Sequence, residues 1–326
     1  MKAKNILIIG KIPPPIGGVT VHVARLLNDL KRKNFTDFSF YDLAKEPLWK
    51  VFPEMIRFPL IHLHTSNTYF QLIAAIFCLL TNRNLITTYH GNWRRFGFLR
   101  NLAGSISATL SFVPIALNPG SLHEMKKWNS RAVFISAFIR PGTLIPLPES
   151  ILEKLHDYKR KYKLLFCTNA TNLAFDRNGR EIYGISDLVT RFSTIPGAAL
   201  VVCDSSEKYI DVHLNHIPEN ILFLKGEHDF CNILWMSDGF IRNTTTDGDS
   251  ISIREALHYG VTVFATDCVT RPAGCVLFKN IGETDFVEKL QMCSSEEFPP
   301  AYDYELYDAT DKLIKLYRQC LNNCKI

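Results

Sequence analysis

The sequence predicts an α/β protein made of two Rossmann-like, doubly wound domains in tandem, and three observations carry that prediction. Short β-rich apolar runs alternate with amphipathic stretches along most of the chain, the pattern of a parallel sheet covered on both faces. A proline-rich break near residue 140 divides the alternation into two series. The length, 326 residues, is long for one hydrophobic core and comfortable for two.

The first series opens with NILIIG (Asn5–Gly10), a strand closed by glycine. The loop KIPPPIGGV leads into a helix from Val21 to Lys33, where Val23, Leu26, Leu27 and Leu30 recur at helical spacing. DFSFYDL, LIHLHTS, NLITTYHG and SFVPIALN read as strands, and Tyr69–Leu80 as a buried helix. FIRPGTLIPLPES, with three prolines, is the linker, and ILEKLHDYKRKYK is a charged helix. In the second series KLLFCTNA, AALVVCD, NILFLKG, GFIRNT and VTVFATD read as strands. YGISDLVTRFSTI, FCNILWMS and SIREALHYG read as helices between them, and YELYDATDKLIKLYRQCLNN as a terminal helix. The expected domains are 1–145 and 146–305, with 306–326 a helix set to pack back on the first. A tandem pair of this kind takes its ligand between the domains, at the carboxyl ends of the strands.

Composition excludes several classes. The nine cysteines are scattered, with no C-x-x-C pair, and read as small core residues in a reducing compartment. The amino terminus has only five apolar residues before Gly10 and Lys11, too few for a signal peptide. The longest apolar run, Tyr69–Leu80, contains Gln71 and falls short of the roughly 20 residues of a membrane span. A cytoplasmic protein is expected. Residues 1–150 hold 18 Lys+Arg against 7 Asp+Glu, and the remainder 19 against 25, so a basic half precedes an acidic one. The first half therefore faces either solvent or something anionic. No nucleic-acid motif accompanies the charge, and no nucleic-acid partner is expected.

The densest chemistry lies in TTTDGDSISIREALHYGVTVFATD, Thr244–Asp267. Asp247-Gly248-Asp249 has the Asp-x-Asp form by which single-domain, metal-dependent nucleotide-sugar transferases hold a divalent cation. That motif follows one sheet early in those chains; here it comes in the last quarter, so no strict metal requirement is expected. The other reading pairs Asp247 with Glu255, eight positions on, ahead of a glycine and a β-branched strand. A plainer role for Glu255 stays open: Ser252–Glu255 is S-x-x-E, a capping box at a helix start.

The acid-x7-acid spacing, with ALHYGVTVFATDCVTRPAG behind it, resembles the E-x7-E signature of the retaining glycosyltransferases of family 4, which have the two-domain GT-B fold. The resemblance covers most of the chain and is specific around 241–278. It implies that Asp247 holds a hydroxyl of the donor sugar and that Glu255 binds the nucleotide ribose. Gly248, Asp249 and Ser250 would meet the donor and its phosphates, with Arg271 facing phosphate. Asp247 stands where the family usually has Glu, one methylene longer. KIPPPIGGVTVHVARLL resembles the family's glycine loop, with Gly17 and Gly18 letting backbone amides approach the donor diphosphate or the acceptor. LITTYHGNW resembles its strand ending in His-Gly and makes His90 an active-site residue; His62 and His64 are read as structural. The family's diphosphate-neutralising Arg and Lys lack their usual spelling here, and Arg177 and Arg180 in NATNLAFDRNGREIYGISDLV are the available cations. WRRFGFLRNL, Trp93–Leu102, interleaves aromatic and basic residues as an interfacial segment does.

The implied activity is transfer of a sugar, with retention, from a nucleotide-sugar, a UDP-sugar by expectation. The implied acceptor is a glycan or a polyprenyl-diphosphate-linked oligosaccharide in bacterial surface polysaccharide (O-antigen type) assembly, at the inner face of the cytoplasmic membrane. The alternatives are a nucleotide-sugar epimerase of the same fold, and a non-catalytic nucleotide-sugar-binding subunit.

Overall fold

The computed structural model describes residues 4–213, 216–283, 285–290, 293 and 309–323. The chain divides into two compact units, one running to Arg140 and including the terminal helix, the other starting at Pro141. Each is built on a six-stranded sheet in which every pairing is parallel.

The first unit contains β1 (Ile6–Gly10), β2 (Phe38–Asp42), β3 (Leu60–Thr65), β4 (Asn84–Tyr89), β5 (Val113–Ala116) and β6 (Val133–Phe134), in spatial order β2-β1-β3-β4-β5-β6. Its helices are α1 (Gly18–Arg32), α2 (Val51–Ile56), α3 (Thr68–Leu80), α4 (Phe98–Leu110) and α5 (Pro119–Lys126). Side chains alternate across β1, so Ile6 and Ile8 join one core cluster and Leu7 and Ile9 the other. The cluster under α1 is completed by Leu313, Ile314 and Tyr317. They belong to the terminal helix, which is the last of the chain, α12 (Ala309–Asn323). Its Ala309 N–H donates to the Phe138 carbonyl at 2.9 Å, and Asp311 pairs with Lys33 at 2.6 Å. The expected start of this helix, 304–308, lies outside the described residues.

The second unit contains α6 (Glu149–Lys161), β7 (Leu164–Ala170), α7 (Ile185–Phe192), β8 (Ala198–Asp204), α8 (Lys208–His213), β9 (Ile221–Lys225) and α9 (Phe230–Trp235). It continues with β10 (Gly239–Arg242), α10 (Ile251–His258), β11 (Thr262–Thr266), β12 (Cys275–Phe278) and α11 (Phe286–Leu290). The strand order is β12-β11-β10-β7-β8-β9. Counted from its own first strand this is 3-2-1-4-5-6, the dinucleotide-binding order, and it reverses between β7 and β10. The inner strands are buried on both faces, β8 along its whole length, which is why they read as continuous apolar runs.

Two strands escape the sequence reading. β6 is two residues long, and β12 is a partly exposed edge strand. Five helices escape it as well: α2, α5, α8 and α11, each eight residues or fewer and too brief to show a period, and the longer α4, whose second half, GSISATL, is made of small residues that give little apolar contrast.

Candidate active site

At the switch point of the second sheet, polar side chains from β7, β10 and the following loops converge. β10 is apolar until its last residue, Arg242, which leaves the sheet at its carboxyl end. Arg242 donates to Asp247 through Nε (3.0 Å to Oδ2) and Nη2 (3.3 Å to Oδ1), a two-pronged pairing. Its Nη1 donates to Asn169 Oδ1 at 3.3 Å, at the end of the neighbouring β7. Asn169 Nδ2 donates in turn to Ser252 Oγ on α10 at 2.7 Å. Arg271 approaches Asp247 from a second loop: Nη1 donates to Oδ2 at 2.9 Å, Nη2 to Thr244 Oγ1 at 3.0 Å and Nε to the Thr266 carbonyl at 2.8 Å. The Gly248 N–H donates to Asp247 Oδ1 at 3.1 Å.

Asp247 thus accepts four hydrogen bonds, two on each oxygen, which is the capacity of a carboxylate. Burial alone would raise its pKa; the charges of Arg242 and Arg271 outweigh burial and hold it at about 2. It is an anion whose lone pairs go to aligning two guanidinium groups. The resemblance assigned it a sugar hydroxyl, but in this arrangement no lone pair is left for one. Asp249, the other acid of the DGD triplet, is equally engaged, in a buried ion pair with Arg254.

Glu255 is buried in the second turn of α10. The helix is capped by Ser250, whose side chain accepts from the Ile253 N–H, while Ser252 lies inside the helix and pairs with Asn169. The capping-box register of Ser252–Glu255 is therefore not the one used. In the loop between β10 and α10, Thr245 Oγ1 is buried without a partner among the described residues. An unpaired buried hydroxyl costs about 1–3 kcal/mol and marks a place where a ligand atom would be welcome. Gly184, in the left-handed region at φ +53°, lets this loop close: Asn243 Nδ2 donates to its carbonyl at 3.0 Å, and a Cβ there would lie 2.3 Å from the same nitrogen.

Arg177 and Arg180 occupy an exposed hairpin turn between Phe175 and Glu181, where Arg180 pairs with Asp176 at 3.0 Å. The cations that pair with Asp247 are Arg242 and Arg271. Arg242 was open to detection as a charged residue ending an apolar strand, five positions before Asp247; Asn169 is the polar residue one before the end of β7.

In the first unit, the carboxyl ends of β3 and β4 and helix α1 bring together four histidines. His62 is held between Tyr317 Oη (2.6 Å from Nδ1) and Thr88 Oγ1 (2.8 Å from Nε2), a structural role as expected. His64 Nδ1 meets His90 Nε2 at 3.2 Å, and His22 Nδ1 meets the Ala137 carbonyl at 2.8 Å. The His22 ring lies 5.2 Å from that of His64 and 5.5 Å from that of His90. Burial, then the neighbouring His22, pushes His62 down to about 3; burial and the surrounding imidazoles push His64 and His90 well below the usual histidine range. Near neutral pH these rings are uncharged and suited to hydrogen-bonding hydroxyls, not to delivering protons. His64 Nε2 is buried without a partner among the described residues.

Gly17 is the N-cap of α1, in extended backbone at φ −172°, and Gly18 is its first residue. Neither needs a left-handed conformation, and a Cβ on Gly18 would meet no described atom within 4 Å. Neither the turn nor the packing around it calls for glycine at these two positions. Trp93–Leu102 is a loop that enters α4 at Phe98, with Trp93 packed edge-on against Tyr89 and Phe98 and Leu99 exposed.

No family model and no curated protein matches the chain. Solved structures match it over nearly its full length. HepE of Anabaena in complex with UDP-glucose is similar at 13% identity, covering 98% of this chain and 99% of that one, with a TM-score of 0.67. Sucrose-phosphate synthase from Thermosynechococcus elongatus matches at 13% identity over 98% and 100%, with a TM-score of 0.68. WaaG, a glycosyltransferase involved in lipopolysaccharide biosynthesis, matches at 12% identity over 95% and 99%, with a TM-score of 0.63. The likeness shows the fold: tandem Rossmann-like domains of the GT-B class.

Proposed function

We propose that the chain is a glycosyltransferase that takes a sugar from a nucleotide-sugar, a UDP-sugar, and transfers it with retention. The observation that carries this reading is the pair of guanidinium groups held by Asp247 at the switch point of a sheet with dinucleotide-binding order, one helix start away from the buried Glu255. A nucleotide diphosphate is an anionic leaving group. Arg242 and Arg271, aligned before it arrives, stabilise the charge that develops as the glycosidic bond breaks. The amino terminus of α10, with Gly248, Asp249 and Ser250 leading into it, favours the same charge. Glu255 accepts from the ribose diol, and the neutral His90 bonds a sugar hydroxyl. The complex of HepE with UDP-glucose supports a nucleotide-sugar as the donor class.

Thermal shift with a panel of nucleotides tests this directly. UDP at one hundred times its Kd should stabilise the chain by about 2.7 kcal/mol. Glu255→Gln, which keeps the volume and loses the charge, should weaken UDP binding about tenfold or more while the melting temperature of the free protein stays put. A panel in which no nucleotide raises the melting temperature would sink the reading. Guanidinium groups already supply the positive charge, so transfer should persist in excess EDTA. Activity lost to chelator and restored by manganese would reinstate the metal reading of Asp247-Gly248-Asp249.

The acceptor in this reading is a glycan on a polyprenyl diphosphate, met at the inner face of the cytoplasmic membrane. Among the described residues no helix is long and apolar enough to cross a membrane. The first unit nevertheless exposes Ile73 and Leu80 on α3 and Phe98, Leu99 and Leu102 on α4, beside Arg94, Arg95 and Arg100. Three arginines near an anionic surface contribute about 3 kcal/mol, roughly a hundredfold in partitioning. In co-sedimentation, wild type should pellet with anionic liposomes at low salt, and an Arg94/Arg95/Arg100 triple glutamine variant should not. Wild type that stays in the supernatant removes the membrane from the proposal.

A further inference from the structure

The loop after β4, the first turn of α3 and the first turns of α4 line a crevice that is open to solvent. Its polar atoms do not balance. Thr68 Oγ1, Gln71 Oε1 and Trp93 Nε1 all belong to residues lining it, and all three are buried without a partner among the described residues. Thr68 is 6% exposed and Gln71 2%, so water does not compensate them from outside. The Gln71 amide is oriented by its neighbour: Nε2 donates to the Thr65 carbonyl at 2.7 Å, which can only accept, and this leaves Oε1 as the open acceptor. An open acceptor, an indole donor and a hydroxyl that can do either form a set complementary to sugar hydroxyls.

The same wall is strongly cationic. Arg94, Arg95 and Arg100 line it, and none of its described lining residues is acidic. Arg95 and Arg100 each lie over the Phe96 ring, at 4.7 and 3.8 Å from its centre, and the ring offsets part of their positive charge. The loop is pinned for the purpose. The Asn101 side chain bonds both the N–H and the carbonyl of Phe96, at 3.0 and 2.5 Å, and Ser121 Oγ accepts from the Trp93 N–H at 3.0 Å. Gly91, at φ +119°, holds a backbone conformation that L side chains rarely adopt, and the Arg95 guanidinium packs where its Cβ would be. The start of α4 carries Gly97 as its N-cap with no side-chain cap, so its first amide groups add to the positive potential.

We infer that this crevice is a binding site for a phosphorylated sugar, with Gln71, Thr68 and Trp93 meeting the hydroxyls and Arg94, Arg95 and Arg100 the phosphate. It rests on the reading above in one respect, since it names the acceptor class: a glycan whose first sugar carries a phosphate or diphosphate. The phosphate belongs either to a soluble sugar phosphate or to a lipid-linked one, and the chemistry of recognition is the same for both.

The test uses the full chain with 15N-labelled tryptophan, the Trp93 indole resonance being assigned with Trp93→Phe. Probes are glucose 1-phosphate, glucose, inorganic phosphate, and vesicles of phosphatidylglycerol or phosphatidylcholine. Glucose 1-phosphate should shift the Trp93 indole saturably, and glucose and inorganic phosphate should bind at least tenfold more weakly. Arg94→Gln/Arg100→Gln, two exposed positions, should weaken glucose 1-phosphate about tenfold or more. Gln71→Met should weaken glucose 1-phosphate and leave inorganic phosphate unchanged; a melting curve checks that this variant folds, and the arginine variant decides the matter if it does not. No saturable shift with glucose 1-phosphate overturns the proposal. So does a shift caused by phosphatidylglycerol vesicles alone, which would give the arginines to the lipid surface. UDP binding, followed in parallel by thermal shift, separates the two readings: loss of UDP binding with a normal Trp93 response defeats the donor site and leaves this one standing.

Discussion

Asp247→Asn should cost the second unit about 3–5 kcal/mol of stability and most of its donor affinity. The reason is the asymmetry of buried ion pairs. Removing one partner leaves the other charge uncompensated, and here one carboxylate serves two guanidinium groups, on Arg242 and Arg271. The amide keeps the shape but gives up the charge, and its –NH2 end turns a donor toward a guanidinium that can only donate. The pH dependence has a definite sign. A carboxyl held at about 2 in the folded state, below its ordinary 3.8, contributes stability above pH 3.8 and loses it as pH falls toward 2. That contribution is about 2 kcal/mol. Urea unfolding of wild type and variant at pH 7 measures the first quantity, and the same pair between pH 4 and 2 the second. A variant with wild-type midpoint and wild-type UDP affinity would show that Asp247 neither holds the arginines nor serves the donor.

Acid should weaken the first unit well before carboxylates titrate. His62, His64 and His90 are all depressed by burial, so each is neutral when folded and charged when unfolded below pH 6.5. Stability is therefore complete above about 6.5 and falls with pH below it; for His62 the loss continues to about 3. His62 alone takes about 1.4 kcal/mol per pH unit between pH 6 and 5, and His64 and His90 act in the same direction. Against a domain's usual 5–15 kcal/mol this is a measurable loss. Unfolding in denaturant, followed by tryptophan fluorescence, should show net proton uptake across this range. His64→Gln should lower that uptake. A free energy that is flat from pH 6 to 5 would mean that these imidazoles reach solvent in the folded state.

Much of this architecture is legible in the sequence for a plain reason. Strands of a parallel sheet are buried on both faces, so runs such as NILIIG and AALVVCD have to be apolar from end to end, and the helices between them have to be amphipathic. The segment Thr244–Asp267 is legible because its loop, helix and strand are contiguous: Ser250 caps the helix in which Glu255 is buried, and the next strand follows at once. Partnership across the sheet is not legible, because it depends on which strands become neighbours. Arg242 meets Asn169 only because β10 lies beside β7, a contact between residues 73 positions apart. Without that pairing Arg177 and Arg180 looked like the available cations, whereas Arg180 is committed to Asp176 in its own turn. His62 bonds Tyr317 across 255 positions, and the crevice beside Trp93 joins three segments, each unremarkable alone. Which elements form, and where polar residues end apolar strands, follows from local pattern, because burial acts on each segment separately. Which of those residues share a charge, a proton or an unmet hydrogen bond follows from strand order and packing, because those are properties of pairs brought together from far apart along the chain.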